Sequence, residues 1–357
     1  MKMAGRTVLI TGGSSGIGLE LAGQLIARDN VVIITGRGQQ GLEAAQRRFP
    51  GLHALQSDVS DAGGIRLLHE TLIARFPKLD TLVNNAGIMR NLKLGEDRSL
   101  EDLTREIDID LTGPIRMVQQ FLPHLRRQSD ALIVNVSSGL AFVPFPISPI
   151  YSAAKAAIHA YTRCLRVQLA GSNVTVVELA PPGTETPLFR AEFAAEMKSQ
   201  KGMAVDILAR RAIAAIEAGK TEIRPGLSNV LKVASHLAPG VVFSHCLVHR
   251  DLWNTLLVAP CLSWPSTVLT ALAGIVRILG ELGFRQPLVN LNHAGTVGEG
   301  QDSPEPRMPS SSPTRADQLA ILAQSKRFRD FLIKAGMRRS RRSGIRRAAD
   351  IVRDELG

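Results

Sequence analysis

The chain has 357 residues, more than a single domain of about 100–200 residues requires, and 45 % of them are hydrophobic, so one large domain with an appendage is expected. Three cysteines, Cys164, Cys246 and Cys261, form an odd set without C-x-x-C spacing, which argues against a disulfide framework or a cysteine zinc site and fits a reducing compartment. The net charge of +11 is concentrated late. Lys326 to Gly357 hold eleven Lys/Arg against four Asp/Glu, a net +7, which leaves only +4 for the 325 residues before them.

The chain begins "MKMAGRTVLITGG" and runs straight into a strand and a glycine turn, with no apolar h-region. No signal peptide is expected, and a cytoplasmic protein is. Strand candidates follow at 7–11, 30–36, 52–58, 80–87, 131–138 and 173–181. Their near-continuous Val/Ile/Leu runs suggest strands covered on both faces rather than one. Helical stretches such as "IGLELAGQLIARD" (17–29) and "GIRLLHETLIARF" (64–76) separate them. Repeated strand–helix–strand units predict an α/β fold, a doubly wound parallel sheet, over residues 1–240. No internal repeat is evident.

Near residue 240 the pattern changes. Residues 241–290 form a hydrophobic extension in which "TLLVAPCLSWPSTVLTALAGIV" (255–276) carries no charge but is broken by Pro260 and Pro265. A broken segment packed on the domain or on a partner subunit is the simpler reading. Membrane association through 255–282 is the alternative. Residues 291–318 have the Gly/Pro/Ser composition of a disordered linker. The last stretch, 319–357, reads as a basic helical tail. Its "RRSRRSGIRR" (338–347) lacks interleaved aromatics and any DNA-binding motif, so nucleic acid is not the expected partner.

The first strand leads directly into "TGGSSGIG" (11–18), whose Gly12, Ser14, Ser15, Gly16, Ile17 and Gly18 are candidates for a nucleotide cradle. Glycines let a pyrophosphate approach the backbone, and the following helix start supplies free N–H groups and a favourable dipole. The spacing is G-x-x-x-G-x-G rather than G-x-G-x-x-G. The second strand ends in Arg37 where an acidic ribose partner would otherwise stand. A guanidinium suits a 2′-phosphate, which favours NADP(H) over NAD(H). Further on, "IYSAAKAAIHAY" (150–161) holds both tyrosines of the chain and sets Tyr151 one helical turn before Lys155. Alone, that pair does not decide between a surface helix and a proton-transfer device.

"TGGSSGIG", "NNAG" (84–87), "NVSS" (135–138) and "YSAAK" (151–155) stand in an order and spacing that resembles the short-chain dehydrogenase/reductase family, over residues 1 to about 235. "NVSSGLAFVP" and "ELAPPGTETPL" resemble the subgroup labelled as involved in D-alanine esterification of teichoic acid, a label that does not identify a substrate. The resemblance implies a Rossmann-type fold, a small-molecule carbonyl or alcohol substrate, and a homodimer or homotetramer. It implies that Tyr151 is the general acid/base, that Lys155 supports it and holds the nicotinamide ribose, and that Ser138 orients the substrate oxygen. It also places Asp58 and Val59 near the adenine, Asn85 and Ala86 along the adenosine side, and Thr186 near the carboxamide. An ammonium about 4 Å from a phenol is worth roughly 4 kcal/mol at an effective dielectric of ~20. That equals about three pKa units before desolvation, so a stabilised tyrosinate is expected.

One departure stands out. Where the family commonly has an asparagine in N-x-x-G, this chain has Asp110, with Gly113 keeping the register. An aspartate near Lys155 would favour the charged ammonium and slow proton transfer, giving reduced rather than abolished turnover. His159 is expected to be packed or solvated, and no metal site is expected, since the eight histidines include no H-E-x-x-H motif. The function expected is NADP(H)-dependent interconversion of a carbonyl and an alcohol on a small, mostly apolar substrate. The pocket would come from "LAFVPFP" (140–146), with a lid from 187–197. Two rivals stand beside it: a catalytically weak NADP(H)-binding regulatory protein, and a membrane-tethered reductase.

Overall fold

β1 (Thr7–Thr11) is buried at every position because helices cover both of its faces. The computed structural model describes residues 1–190, 193 and 201–237. The expectations for 241–290, 291–318 and 319–357, the membrane contact through 255–282 among them, lie outside the described residues.

From β1 the chain continues into α1 (Gly16–Ile26), β2 (Val31–Gly36), α2 (Gln39–Arg48), β3 (His53–Gln56), α3 (Ala62–Arg75) and β4 (Leu79–Asn84). α4 (Leu100–Ile107) then runs through a π turn (Asp108–Thr112) into α5 (Gly113–Leu125). β5 (Ala131–Val136), a 3₁₀ turn (Gly139–Ala141), α6 (Pro149–Gln168) and β6 (Val174–Leu179) follow. The single-turn α7 (Pro187–Arg190), α8 (Val205–Glu217), β7 (Glu222–Ile223) and α9 (Leu227–Leu237) complete the described chain. Local chemistry sets several boundaries. Asp61 caps α3 by accepting from the Gly63 N–H, Ser99 caps α4 through the Asp102 N–H, and Pro149 opens α6, where a missing N–H costs nothing.

Seven strands pair in parallel in the order β3-β2-β1-β4-β5-β6-β7. This is the doubly wound sheet the sequence predicts. Alternation along each strand divides the core. Val8 and Ile10 pack with Leu21 and Leu25 of α1 and Ile213 of α8, whereas Leu9 joins Leu68 of α3, Phe121 of α5 and Leu165 of α6 on the opposite face. The chain winds one way from β1 to β3 and the other way from β4 onward. A crevice therefore opens beyond the carboxyl ends of β1 and β4, where ligands of such sheets bind.

Several strands are shorter than their apolar runs suggested. β4 ends at Asn84 and β5 at Val136, not at 87 and 138, because the last residues of each run leave the sheet to line that crevice. β7 escaped the sequence reading, since two residues carry no periodicity. Among the described residues no helix is long and apolar enough to cross a membrane.

Candidate active site

The crevice is an open cleft of about 430 Å³. At one end the chain leaves β1 through two glycines with left-handed backbone, Gly12 (φ 64°) and Gly16 (φ 54°). A Cβ on Gly12 would lie 2.7 Å from the Cα of Ala86, so the turn after β1 and the loop after β4 touch only because that atom is missing. The contact is reinforced by hydrogen bonds. Thr11 Oγ1 accepts from the N–H groups of Asn85 (3.0 Å) and Ala86 (3.1 Å), and Asn85 Nδ2 donates to the carbonyls of Thr11 and Gly12 at 3.0 Å each. Ser15 precedes α1 without a side-chain cap, and the first turn holds no acidic residue. The unpaired N–H groups of the helix start therefore face the cleft, which fits a pyrophosphate.

Gly12, Ser14, Ser15, Gly16 and Ile17 line this end, with Asn85 and Ala86 opposite. Gly18 does not line the cleft. A Cβ there would meet Asn85 Nδ2 and the Gly12 carbonyl oxygen at 2.5 Å each, so this glycine lets α1 press against the turn. Beyond β2, Arg37 is exposed on the cleft rim beside Gly38, and no carboxylate occurs in "GRGQQG" (36–41). The Ser14 side chain lies against Gly36. Asp58 and Val59 form the neighbouring wall, where Asp58 Oδ1 accepts from the Ser60 N–H (2.9 Å) and hydroxyl (2.8 Å).

At the other end, α6 turns Tyr151 and Lys155 inward and buries both. The Lys155 Nζ lies 5.3 Å from the Tyr151 ring centroid, donates to the Val136 carbonyl (3.2 Å) and forms an ion pair with Asp110 Oδ1 (3.0 Å). The π turn carries Asp110, which is 0 % exposed. Its Oδ2 accepts from the Ile88 N–H at 3.2 Å. Gly87 makes room for it, since a Cβ there would sit 2.4 Å from Asp110 Oδ1. Ser138, just past β5, accepts from the Leu140 N–H (3.1 Å) and lines the cleft with Tyr151. Thr186 faces the cleft at the start of α7, its hydroxyl donating to the Thr184 carbonyl at 3.2 Å.

These charges alter one expectation. Burial pushes the Tyr151 phenol above its ordinary value; Lys155 opposes this, while Asp110 and Glu106 add to it. Desolvation and the two carboxylates outweigh the ammonium in that direction, which works against the stabilisation expected from Lys155 alone. Burial works to lower Lys155, yet Asp110 and the phenol hold it above its usual range. Burial raises Asp110 in turn, against the pull of Lys155.

Three side chains that were not among the candidate site residues join the site from behind. Ser137 lines the cleft and its hydroxyl donates to Glu178 Oε1 at 2.5 Å. Glu178, buried on β6, also holds His159 Nδ1 at 2.8 Å. His159 is thus neither simply packed nor solvated. The available signal was a lone carboxylate inside the apolar strand "VTVVEL". Another wall of the cleft is apolar, formed by Met89, Leu140, Phe145, Phe189, Leu227 and Leu231. Of the expected lid 187–197, residues 191, 192 and 194–197 lie outside the described residues. Among the described residues no group of three or more His, Cys, Asp or Glu could hold a metal ion.

A glycine turn suited to a nucleotide at one end of a cleft and a buried tyrosine–lysine pair at the other fit a nicotinamide-dependent oxidoreductase. The sequence matches the short chain dehydrogenase family over residues 6–197, more than half of the chain. The chain belongs to that family and is a dehydrogenase or reductase. The uncharacterized oxidoreductase DltE of Bacillus subtilis (strain 168) is 40 % identical over 225 residues, 62 % of this chain and 89 % of the relative, in keeping with the subgroup resemblance. The 3-oxoacyl-(acyl-carrier-protein) reductase FabG of Thermotoga maritima is 32 % identical over 193 residues, 53 % of this chain and 78 % of the relative. A short chain dehydrogenase from Burkholderia cenocepacia J2315 in complex with NADP matches with a TM-score of 0.61 at 23 % identity, covering 70 % of this chain and 100 % of its own. A relative from Burkholderia phymatum in complex with NAD matches with 0.60 at 21 %, covering 66 % and 95 %. The shared fold binds NAD(P) and does not itself choose between the two.

Proposed function

We propose that this protein uses NADP(H) to interconvert a carbonyl and an alcohol on a small, mostly apolar substrate, with Tyr151, Lys155 and Ser138 as its catalytic groups. The observation that carries this reading is the burial of Tyr151 and Lys155 one turn apart on the cleft wall, with Ser138 lining the same cleft. The bound nicotinamide would supply or accept the hydride. Ser138 would hold the substrate oxygen, Tyr151 would pass a proton to or from it, and Lys155 would steady the phenolate and meet the ribose. Gly12, Ser15, Gly16 and the α1 start suit the pyrophosphate, while Asp58, Val59, Asn85 and Ala86 suit the adenosine half, with Thr186 beside the carboxamide. Arg37 and Ser14 offer a guanidinium and a hydroxyl where a 2′-phosphate would lie, which supports NADP(H) over NAD(H). The Met89, Leu140, Phe145 and Phe189 wall supports an apolar substrate. A homodimer or homotetramer is the form expected of this family, and Leu94 and Leu100 are exposed around the start of α4.

The test is NADPH and NADH oxidation across a panel of ketones, aldehydes and quinones by the full chain. Turnover with NADPH on apolar carbonyls is expected. Tyr151→Phe should lower kcat/KM by about 10²–10⁴, the range of a general acid. Arg37→Ala should weaken NADPH binding by roughly tenfold or more, the worth of a charge-assisted hydrogen bond, and spare NADH. Preference for charged sugar acids would refute the substrate class. Binding of NADPH without turnover on any carbonyl would favour the regulatory reading.

A further inference from the structure

Lys155 stands between two partners with opposite demands. A lysine alone beside a buried phenol favours the phenolate. Here its Nζ donates to the Val136 carbonyl at 3.2 Å and lies 3.0 Å from Asp110 Oδ1 in an ion pair, so its charge already has a partner in place. Both side chains of the ion pair are buried, which leaves little water to screen them. Toward the phenol, the carboxylate therefore works against the ammonium.

The charges facing Tyr151 come from several elements. Lys155 lies on α6 itself, Asp110 on the π turn and Glu106, fully buried, on α4. Arg90, from the loop after β4, lies 3.8 Å from Glu106 and 2.8 Å from Asp102, so its charge is engaged there. Ser138 contributes a neutral hydroxyl from the turn after β5. Glu106 is thus met by Arg90, and Asp110 is the carboxylate set directly against Lys155. The arrangement is built into the backbone: the π turn carries Asp110, and the missing side chain at Gly87 admits its carboxylate.

We propose that Asp110, by occupying the Lys155 ammonium, keeps Tyr151 protonated, so that the resting site is set to give a proton to a carbonyl oxygen and works as a reductase. The direction of reaction rests on the oxidoreductase reading above. In that direction the carbonyl carbon takes a hydride from reduced nicotinamide, and the carbonyl oxygen takes the Tyr151 proton. The products are the alcohol, oxidised nicotinamide and a phenolate, which regains its proton from solvent. Alcohol oxidation would need the phenolate at the outset, the form that this charge arrangement disfavours.

Tyr151 can be observed without any substrate. The chain has two tyrosines, and burial pushes the other, Tyr161, up to about 12. In full-length Tyr161→Phe protein the tyrosinate absorbance reports Tyr151 alone, with far-UV circular dichroism at each pH to verify the fold. The expected midpoint is at or above the ~10 of a free phenol. Adding Asp110→Asn should lower it by at least one pH unit, a tenfold gain in phenolate. A midpoint at or below about 8.5 with Asp110 in place would overturn the proposal even if the Asn variant did not fold. So would a midpoint that Asp110→Asn leaves unmoved. Absence of hydride transfer in both directions, with the midpoint still at or above ~10, would instead locate the failure in the oxidoreductase reading and withdraw the direction with it.

Discussion

Glu178 sits one residue from the end of β6 and serves two elements at once. It accepts from the Ser137 hydroxyl on the turn after β5 and from His159 Nδ1 on α6. Ser137 precedes Ser138, so this carboxylate braces the backbone that aims the expected substrate contact. Glu178→Ala would leave a buried hydroxyl and an imidazole N–H without their acceptor, at a cost of about 1–3 kcal/mol. The expected Tm loss is roughly 2–4 °C per kcal/mol in a fold of this size. Glu178→Gln, which keeps one acceptor oxygen, should lose less, and thermal melts of the two variants decide it. If the alanine variant melts with the native protein, the brace carries no stability. In sequence, Ser137 was visible only as the neighbour of Ser138 and His159 only as a residue one turn past Lys155. Their partner lies across the sheet, where periodicity cannot pair them.

At the scale of elements, β7 and α9 form the unit that closes the apolar side of the cleft. α9 brings Leu227 and Leu231 to the wall, and Glu222 of β7 ties it down by accepting from Lys232 at 3.0 Å. Burial opposes ionisation of Glu222, yet Lys232 and the paired Arg224 outweigh it and lower its pKa to about 2. Its folded value lies below the unfolded one, so its stabilisation is complete above about pH 4.5 and is lost as pH falls toward about 2. Glu222→Gln imitates the protonated state at neutral pH. Because the group is partly solvated, the tie is worth about 0.2–1 kcal/mol. Hydrogen exchange along 227–237 should therefore rise about 1.5- to 5-fold, with β5 amides unchanged. Equal exchange in both proteins would remove Glu222 as the tie. The same region shows where sequence patterns end. Five- and six-residue apolar runs such as "TVLIT" and "ALIVNV" announce central strands, whereas the two-residue β7 is defined by its pairing to β6. The π turn in "DIDLT" is similarly hidden, because its extra residue shows only in backbone geometry.

For the whole molecule, the cleft was largely legible because its parts are short local signals: a glycine turn, Arg37 after β2, and the Tyr151–Lys155 step. What sequence could not supply was the sum of charges in a buried volume, which holds the Tyr151 phenol above its ordinary value. A similar effect governs the fold's response to acid. His124 of α5 is buried with Nε2 3.0 Å from the Leu79 carbonyl, and His69 of α3 packs edge-on to Phe121 at 5.0 Å. Burial lowers both imidazoles below their ordinary value. Below about pH 6.5 the unfolded chain then binds more protons than the folded one, so stability is full above that pH and falls as the solution is acidified. Melts at pH 7.5 and 5.5 should show the lower Tm at 5.5. A His69→Leu/His124→Gln protein should show a shallower dependence across that interval. Glu222 remains ionised throughout this range, so its loss cannot mimic the effect. A slope that survives both histidine substitutions would mean that other groups set the acid limit of the fold. A slope that disappears would place it at the packing of α3 against α5, beneath the sheet face opposite α1 and α8.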